Sequence, residues 1–231
     1  MLMGPQNLPE NLATVRDRIL RAAVACGRDA DSVTLLAVSK TQSVESIRAT
    51  ASCGVEHFGE SYVKEALPKI ETLRDLKLTW HFVGQLQANK TRPVAETFAW
   101  VHGVDRLRVA QRLSEQRPFH SPPLNVCLQV NVAGEDTKGG VAPADLPELA
   151  QAVAALPRLR LRGLMCLPPP EEDTASQHRW FAETARLQRS LHVPGTTLDT
   201  LSMGMSDDLE AAIEEGATIV RIGTALFGAR P

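Results

Sequence analysis

The sequence predicts a closed (β/α)8 barrel, on three observations. Eight short apolar segments recur along the 231 residues, and each but the last is followed by a stretch of helical periodicity. Such alternation implies parallel strands joined by helical crossovers, and eight units in this length fit a barrel at the small end of its usual range. The turn after the first strand, Ser39-Lys40-Thr41-Gln42-Ser43, lacks the glycines that an open doubly wound sheet usually carries there. No stretch reads as an interdomain linker, so 1–231 is expected to form one domain with its core over about 7–228.

Asn7-Leu8-Pro9-Glu10 reads as a helix start, with Asn7 as cap, Pro9 in the first turn and Glu10 at capping-box spacing. Leu8, Leu12, Val15, Ile19, Ala22 and Cys26 then recur at the helical period, and Gly27 ends the helix. Because it precedes the first strand, this extra helix is expected to pack outside the barrel. Strand and helix then alternate: 33–39 with 43–53, 55–59 with 61–73, 80–84 with 88–98, and 100–104 with 105–116. The second half runs 125–132 with 143–155, 159–166 with 174–191, 198–203 with 207–215, and a last strand at 219–222. Pro168-Pro169-Pro170-Glu171-Glu172-Asp173 is a stiff polar loop where a strand-to-helix connection belongs. Trp80, Trp100 and Trp180 are expected to serve packing.

Hydrophobic content of 43% and charged content of 23% suit a globular protein. A net charge of −2 argues against nucleic acid as partner, since no basic surplus exists to neutralise phosphates. No apolar run approaches the roughly 18 residues of a membrane span, and residues 1–10 lack the apolar centre of a signal peptide, so a cytoplasmic location is expected. Cys26, Cys53, Cys127 and Cys166 form no C-x-x-C pair and read as buried thiols. His57, His81 and His102 fall at or near strands two, three and four, but without an H-x-H pair a metal-dependent hydrolase has little support.

In this fold catalytic groups stand at the C-terminal ends of strands, and phosphate often binds at the loops after strands seven and eight. Those loops are Leu201-Ser202-Met203-Gly204-Met205-Ser206-Asp207-Asp208 and Gly223-Thr224-Ala225-Leu226-Phe227-Gly228, both with small residues and hydroxyls. Ser206 stands directly before a helix, where its hydroxyl can cap. Asp207, Asp208 and Glu210 would repel a dianion unless they point away from it. Lys40 ends strand one, which barrel closure makes the neighbour of strand eight. Arg221 interrupts an otherwise apolar strand, so its charge must be satisfied in the barrel mouth. A lysine near apolar walls and a second cation has a lowered pKa and can attack a carbonyl. These residues point to pyridoxal phosphate or to a sugar-phosphate carbonyl, the latter leaving a Schiff-base lyase of the class I aldolase kind open.

Six motifs spread over the chain resemble the YggS/PROSC family of pyridoxal phosphate homeostasis proteins. They are Ala37-Val38-Ser39-Lys40-Thr41, His57-Phe58-Gly59-Glu60-Ser61-Tyr62, Trp80-His81-Phe82-Val83-Gly84-Gln85, Leu161-Arg162-Gly163-Leu164-Met165, the turn at 201–208, and Val220-Arg221-Ile222-Gly223-Thr224. The resemblance implies the TIM barrel of pyridoxal phosphate (PLP) fold-type III proteins, without the C-terminal β-domain of the racemases. It implies PLP held on Lys40 as an aldimine, Arg221 at the pyridine nitrogen, and Ser206, Gly223 and Thr224 on the phosphate with Met205 beside them. His81 and Ser61 lie in matching motifs near the cofactor, Ser61 where the family usually has asparagine, and Lys138 matches a lysine implicated in cofactor handling outside the main site. An arginine at the ring nitrogen weakens the ring as an electron sink, and the single tyrosine, Tyr62, does not stand where the racemases place their second base. The expectation is a monomeric protein of vitamin B6 homeostasis that binds PLP and passes it to apo enzymes without rapid turnover; a residual racemase is the runner-up.

Overall fold

The structure, a computed structural model, describes residues 7–135, 139–171 and 173–228. Helix α1 (Leu8–Ala25) precedes β1 (Thr34–Val38), α2 (Val44–Ser52), β2 (His57–Glu60), α3 (Val63–Thr72), β3 (Thr79–Phe82), α4 (Thr91–Thr97) and β4 (Trp100–Val104). There follow α5 (Leu107–Gln116), β5 (Leu124–Gln129), α6 (Leu146–Ala154), β6 (Leu159–Met165), α7 (Thr174–Ser190), β7 (Thr200–Ser202), α8 (Leu209–Glu214), β8 (Ile219–Ile222) and a short α9 (Thr224–Phe227). The strands are parallel and close in chain order, β8 pairing with β1 so that Leu36 lies opposite Arg221 and Ala37 opposite Ile222. No helix among the described residues is long and apolar enough to cross a membrane.

Alternation along the strands separates two environments. Phe58, Phe82, Phe98 and Phe181 are buried in the apolar layer between strands and helices, where Phe82 and Phe98 meet edge to face. The other parity holds Leu36, His57, His81, Trp100, His102, Ser202 and Arg221. His102 on β4 meets Ser202 on β7, strands that are not neighbours in the sheet, so this bond crosses the barrel's interior. Gly163 marks the irregularity in β6: a Cβ there would strike the carbonyl of Thr200, and the Gln188 side chain accepts the neighbouring N–H of Leu164.

Several expectations are corrected at the element ends. Asn7 occupies the cap position of α1 but its side chain caps nothing. Cys26 is exposed rather than buried, because it lies just beyond the last turn of α1, and Cys53 is half-buried; Cys127 and Cys166 are buried, and all four are free thiols. The stretch expected as one helix at 88–98 splits into a 3-10 turn, Ala88–Lys90, and α4. The strand expected over 55–59 begins two residues later, and that expected to run to 132 ends at Gln129, after which Val130 bridges to Val141.

Candidate functional site

Lys40 stands two residues beyond the end of β1, on the parity that faces inward. Three groups fix the backbone around it. Lys69, on α3, donates from Nζ to the carbonyl of Ser39 at 2.9 Å, to Glu60 at 2.9 Å and to Glu65 at 2.5 Å. Ser39 Oγ donates to Glu60 at 2.8 Å. On the far side of Lys40, the N–H of Thr41 donates to Glu65 at 2.5 Å, and Thr41 sits at a φ of 67°, a left-handed conformation rare for a β-branched residue. The residues before and after Lys40 are thus tied to one buried cluster. Burial pushes the Glu60 carboxyl above its usual range, against the pull of Lys69 and Ser39.

The turn after β7 is shaped by Gly204, at φ +89°, where a Cβ would strike the Ala212 side chain. Ser206, expected to cap the following helix, does not: Asp208 takes the cap position, and its carboxylate accepts the N–H of Met205 at 2.5 Å. Ser206 Oγ instead accepts the N–H of Ala225 at 3.1 Å, joining the turn after β7 to the turn after β8 and keeping its own proton to donate. The N–H of Met205 is thereby taken, while the residue itself lines the cleft. The acidic residues are accounted for in the same way. Arg18 of α1 grips Glu210 through two bonds of 2.6 and 2.7 Å and also donates to the carbonyl of Ser206 at 2.9 Å. Of the three acids only Asp207 reaches the cleft wall.

Arg221 is 5% exposed and its guanidinium bonds, among the described residues, end on neutral oxygens: the carbonyl and Oγ of Ser202, and the carbonyl of Cys166 at 2.8 Å. Behind Ser202 the polar interior continues as a file. His102 Nδ1 lies 2.7 Å from Ser202 Oγ, His102 Nε2 lies 2.9 Å from His81 Nδ1, and His81 Nε2 lies 2.9 Å from His57 Nδ1. Trp100 stacks on His81, and Arg162 covers the outer face of Trp100. Burial depresses all three histidines, His102 to about 3 with the charge of Arg221 adding to the effect. The ring nitrogens face one another in line rather than converging, and among the described residues no group of His, Cys, Asp or Glu could hold a metal ion.

One cleft of about 210 Å³ opens at this rim. Seven of the eight residues singled out in the sequence line it: Lys40, Ser61, Met205, Ser206, Arg221, Gly223 and Thr224. The eighth, His81, is not on its wall; it is 1% exposed and belongs to the interior file. Ser61 keeps its place because Gly84, where any Cβ would overlap the Ser61 backbone, lets the two loops close together. Lys138 lies outside the described residues. Sequence reasoning missed Arg18, Glu60, Glu65, Lys69, His102 and Ser202 as parts of the site; the i, i+4 spacing of Glu65 and Lys69 was the one local signal.

Comparison with known proteins gives a consistent picture. Residues 9–231 match the family described as alanine racemase, N-terminal domain. The pyridoxal phosphate homeostasis protein of Pseudomonas aeruginosa is 61% identical over 223 residues, 96% of each chain, and that of Escherichia coli is 51% identical over 227 residues, 97% of each chain. Among solved structures, PipY of Synechococcus elongatus with PLP bound superposes with a TM-score of 0.85 at 37% identity, covering 96% of this chain and all of that one. Alanine racemase from Corynebacterium glutamicum shares the fold alone, with a TM-score of 0.69 at 17% identity over 62% of its length.

Proposed function

The chain belongs to the pyridoxal phosphate homeostasis protein family, and on that premise we propose that it carries pyridoxal 5′-phosphate in the cleft on the C-terminal rim of its barrel. Lys40 would be the covalent anchor, its Nζ being the amine the cleft offers to the cofactor's aldehyde. The observation that carries this is the convergence of an amine, a guanidinium and a hydroxyl-bearing turn on one cleft. The donor set fits the cofactor at both poles. A guanidinium can only donate, so Arg221 suits an unprotonated pyridine nitrogen, and its existing hydrogen bonds end on neutral oxygens, with Asp208 acting on it through charge alone. Ser206, with its hydroxyl proton free, and the turn at Gly223 and Thr224 suit the phosphate. When bound, PLP supplies an electrophilic carbon and an electron sink.

The role is that of a cytoplasmic, monomeric carrier that serves vitamin B6 and amino-acid homeostasis by passing the cofactor to apo enzymes. Slow turnover follows from two features. Arg221 opposes protonation of the ring nitrogen, and among the described residues the one carboxylate on the wall is Asp207, which adjoins Ser206 at the phosphate end, while Tyr62 is 58% exposed and outside the cleft. Visible absorption spectra with PLP, before and after Lys40→Ala, test the anchor. The wild-type protein is expected to turn yellow and to bleach with borohydride, and the variant to do neither; colour that survives the substitution overturns the assignment. Racemisation of amino acids at ordinary enzyme rates would overturn the carrier role.

A further inference from the structure

The file of histidines behind Arg221 has no part in gripping the cofactor, yet it is built at some cost. His81 and His102 are 1% and 0% exposed, and each uses both ring nitrogens. The direction of its hydrogen bonds can be deduced from one end. A guanidinium cannot accept, so Arg221 Nη1 donates to Ser202 Oγ at 3.0 Å. Ser202 is fully buried, and among the described residues the one acceptor its hydroxyl proton can reach is His102 Nδ1, so satisfying that proton leaves Nδ1 bare. A neutral His102 with a bare Nδ1 carries its proton on Nε2 and donates to His81 Nδ1. By the same step His81 carries its proton on Nε2 and donates to His57 Nδ1. The bonds run head to tail from the arginine outward, with no branch among the described residues. Only His57 meets solvent, in a recess on the opposite face of the barrel lined by Arg16, Asp31 and Glu56.

We propose that Ser202, His102, His81 and His57 form a positioning chain of fixed hydrogen-bond direction, which holds the Arg221 guanidinium on neutral acceptors and aims its unspent donors at the ring nitrogen of the cofactor. A carboxylate in place of Ser202 would hold the arginine as firmly but would neutralise its charge. The serine–imidazole file holds it through neutral groups, so that the Asp208 carboxylate acts on its charge without bonding to it. The burial that keeps all three imidazoles neutral agrees with this. The aim toward the ring nitrogen rests on the cofactor reading above; the direction of the file does not.

Long-range proton–nitrogen correlation spectra of the imidazoles, taken on isotope-labelled full-length protein at neutral pH with and without PLP, read the tautomers directly. The expected result is a proton on Nε2 and a bare Nδ1 at both His81 and His102 before any cofactor is added. Ser202→Ala removes the hydroxyl that locks His102, so the His102 nitrogens should move toward exchange values and PLP should bind about tenfold more weakly with a displaced visible band. His57→Phe removes the last acceptor and should shift the His81 and His102 signals, whereas His57→Gln, whose side-chain oxygen can take the same bond, should restore them. The rim position of His57 makes this pair usable even where Ser202→Ala does not fold. A proton on His102 Nδ1 in the wild-type protein overturns the chain. Wild-type protein that takes up no PLP sinks the cofactor reading and the aiming role with it. PLP titrations and imidazole spectra that match across wild type, Ser202→Ala and His57→Phe sink the positioning role alone.

Discussion

The most demanding residues in the molecule are the two that brace Lys40, not Lys40 itself. Glu60 is 0% exposed and Lys69 7% exposed; Lys69 is the charged partner of Glu60 and holds Glu65 as well. Breaking such a pair from one side leaves a charge with no compensation, so Lys69→Met is expected to cost about 3 kcal/mol at neutral pH. Urea unfolding at two pH values checks the cause. Glu60 already binds its proton more readily in the fold than in the open chain, so the loss should shrink as pH falls and the carboxyl of the variant is neutralised. The same substitution frees the Ser39 carbonyl and loosens Glu65 from Thr41, so PLP affinity should fall as well. Little of this was legible in the sequence. Lys40 announced itself as a cation ending an apolar strand, and Arg221 as a charge inside one. Glu60, Lys69 and His102 looked ordinary, because their meaning depends on partners that only the closed barrel brings within reach.

At the scale of elements, the sequence carried most of the fold. The β4 and β8 bounds agree to the residue, and the remaining strands fall within two or three positions at their ends, because β-branched runs and helical periods are local signals. What failed were ends governed by distant partners: Ser206 looked like a cap, but Ala225 from the next turn competes for its oxygen. Helix α1 shows the same dependence. By pattern it is a cover for the barrel, with Leu12, Val15 and Ile19 buried. Its Arg18 also holds Glu210 and supports the carbonyl of Ser206 in the turn after β7. Arg18→Ala is therefore expected to weaken PLP binding severalfold while moving stability by about 1 kcal/mol, since the ion pair is part-exposed. Cofactor titration alongside thermal unfolding separates the two effects; a stability loss with unchanged affinity would reduce α1 to packing alone.

The molecule as a whole has an interior that is polar where barrels are usually filled with branched aliphatic side chains. This governs its response to acid. His81 and His102 are held neutral in the fold, His102 down to about 3, while the unfolded chain protonates them near 6.5. Depressed histidines contribute nothing extra above that value, and stability is lost as pH falls below it, because the unfolded state then binds more protons. Between pH 7.5 and 5.5 the two should cost about 3 kcal/mol together; chemical unfolding across that range measures it. Further down, Glu60, Asp105 and Asp208, whose carboxyls burial raises, should flatten the decline. The pairing of β1 with β8 has its own consequence, one of timing. A ribosome threads out the amine of Lys40 well before the turn at Gly223, with strands β2 to β8 made in between. On the proposed binding mode, a nascent chain therefore displays its lysine through those intervening strands with nothing to grip the vitamin's other pole, and competence to load arrives all at once, when β8 slots in beside β1.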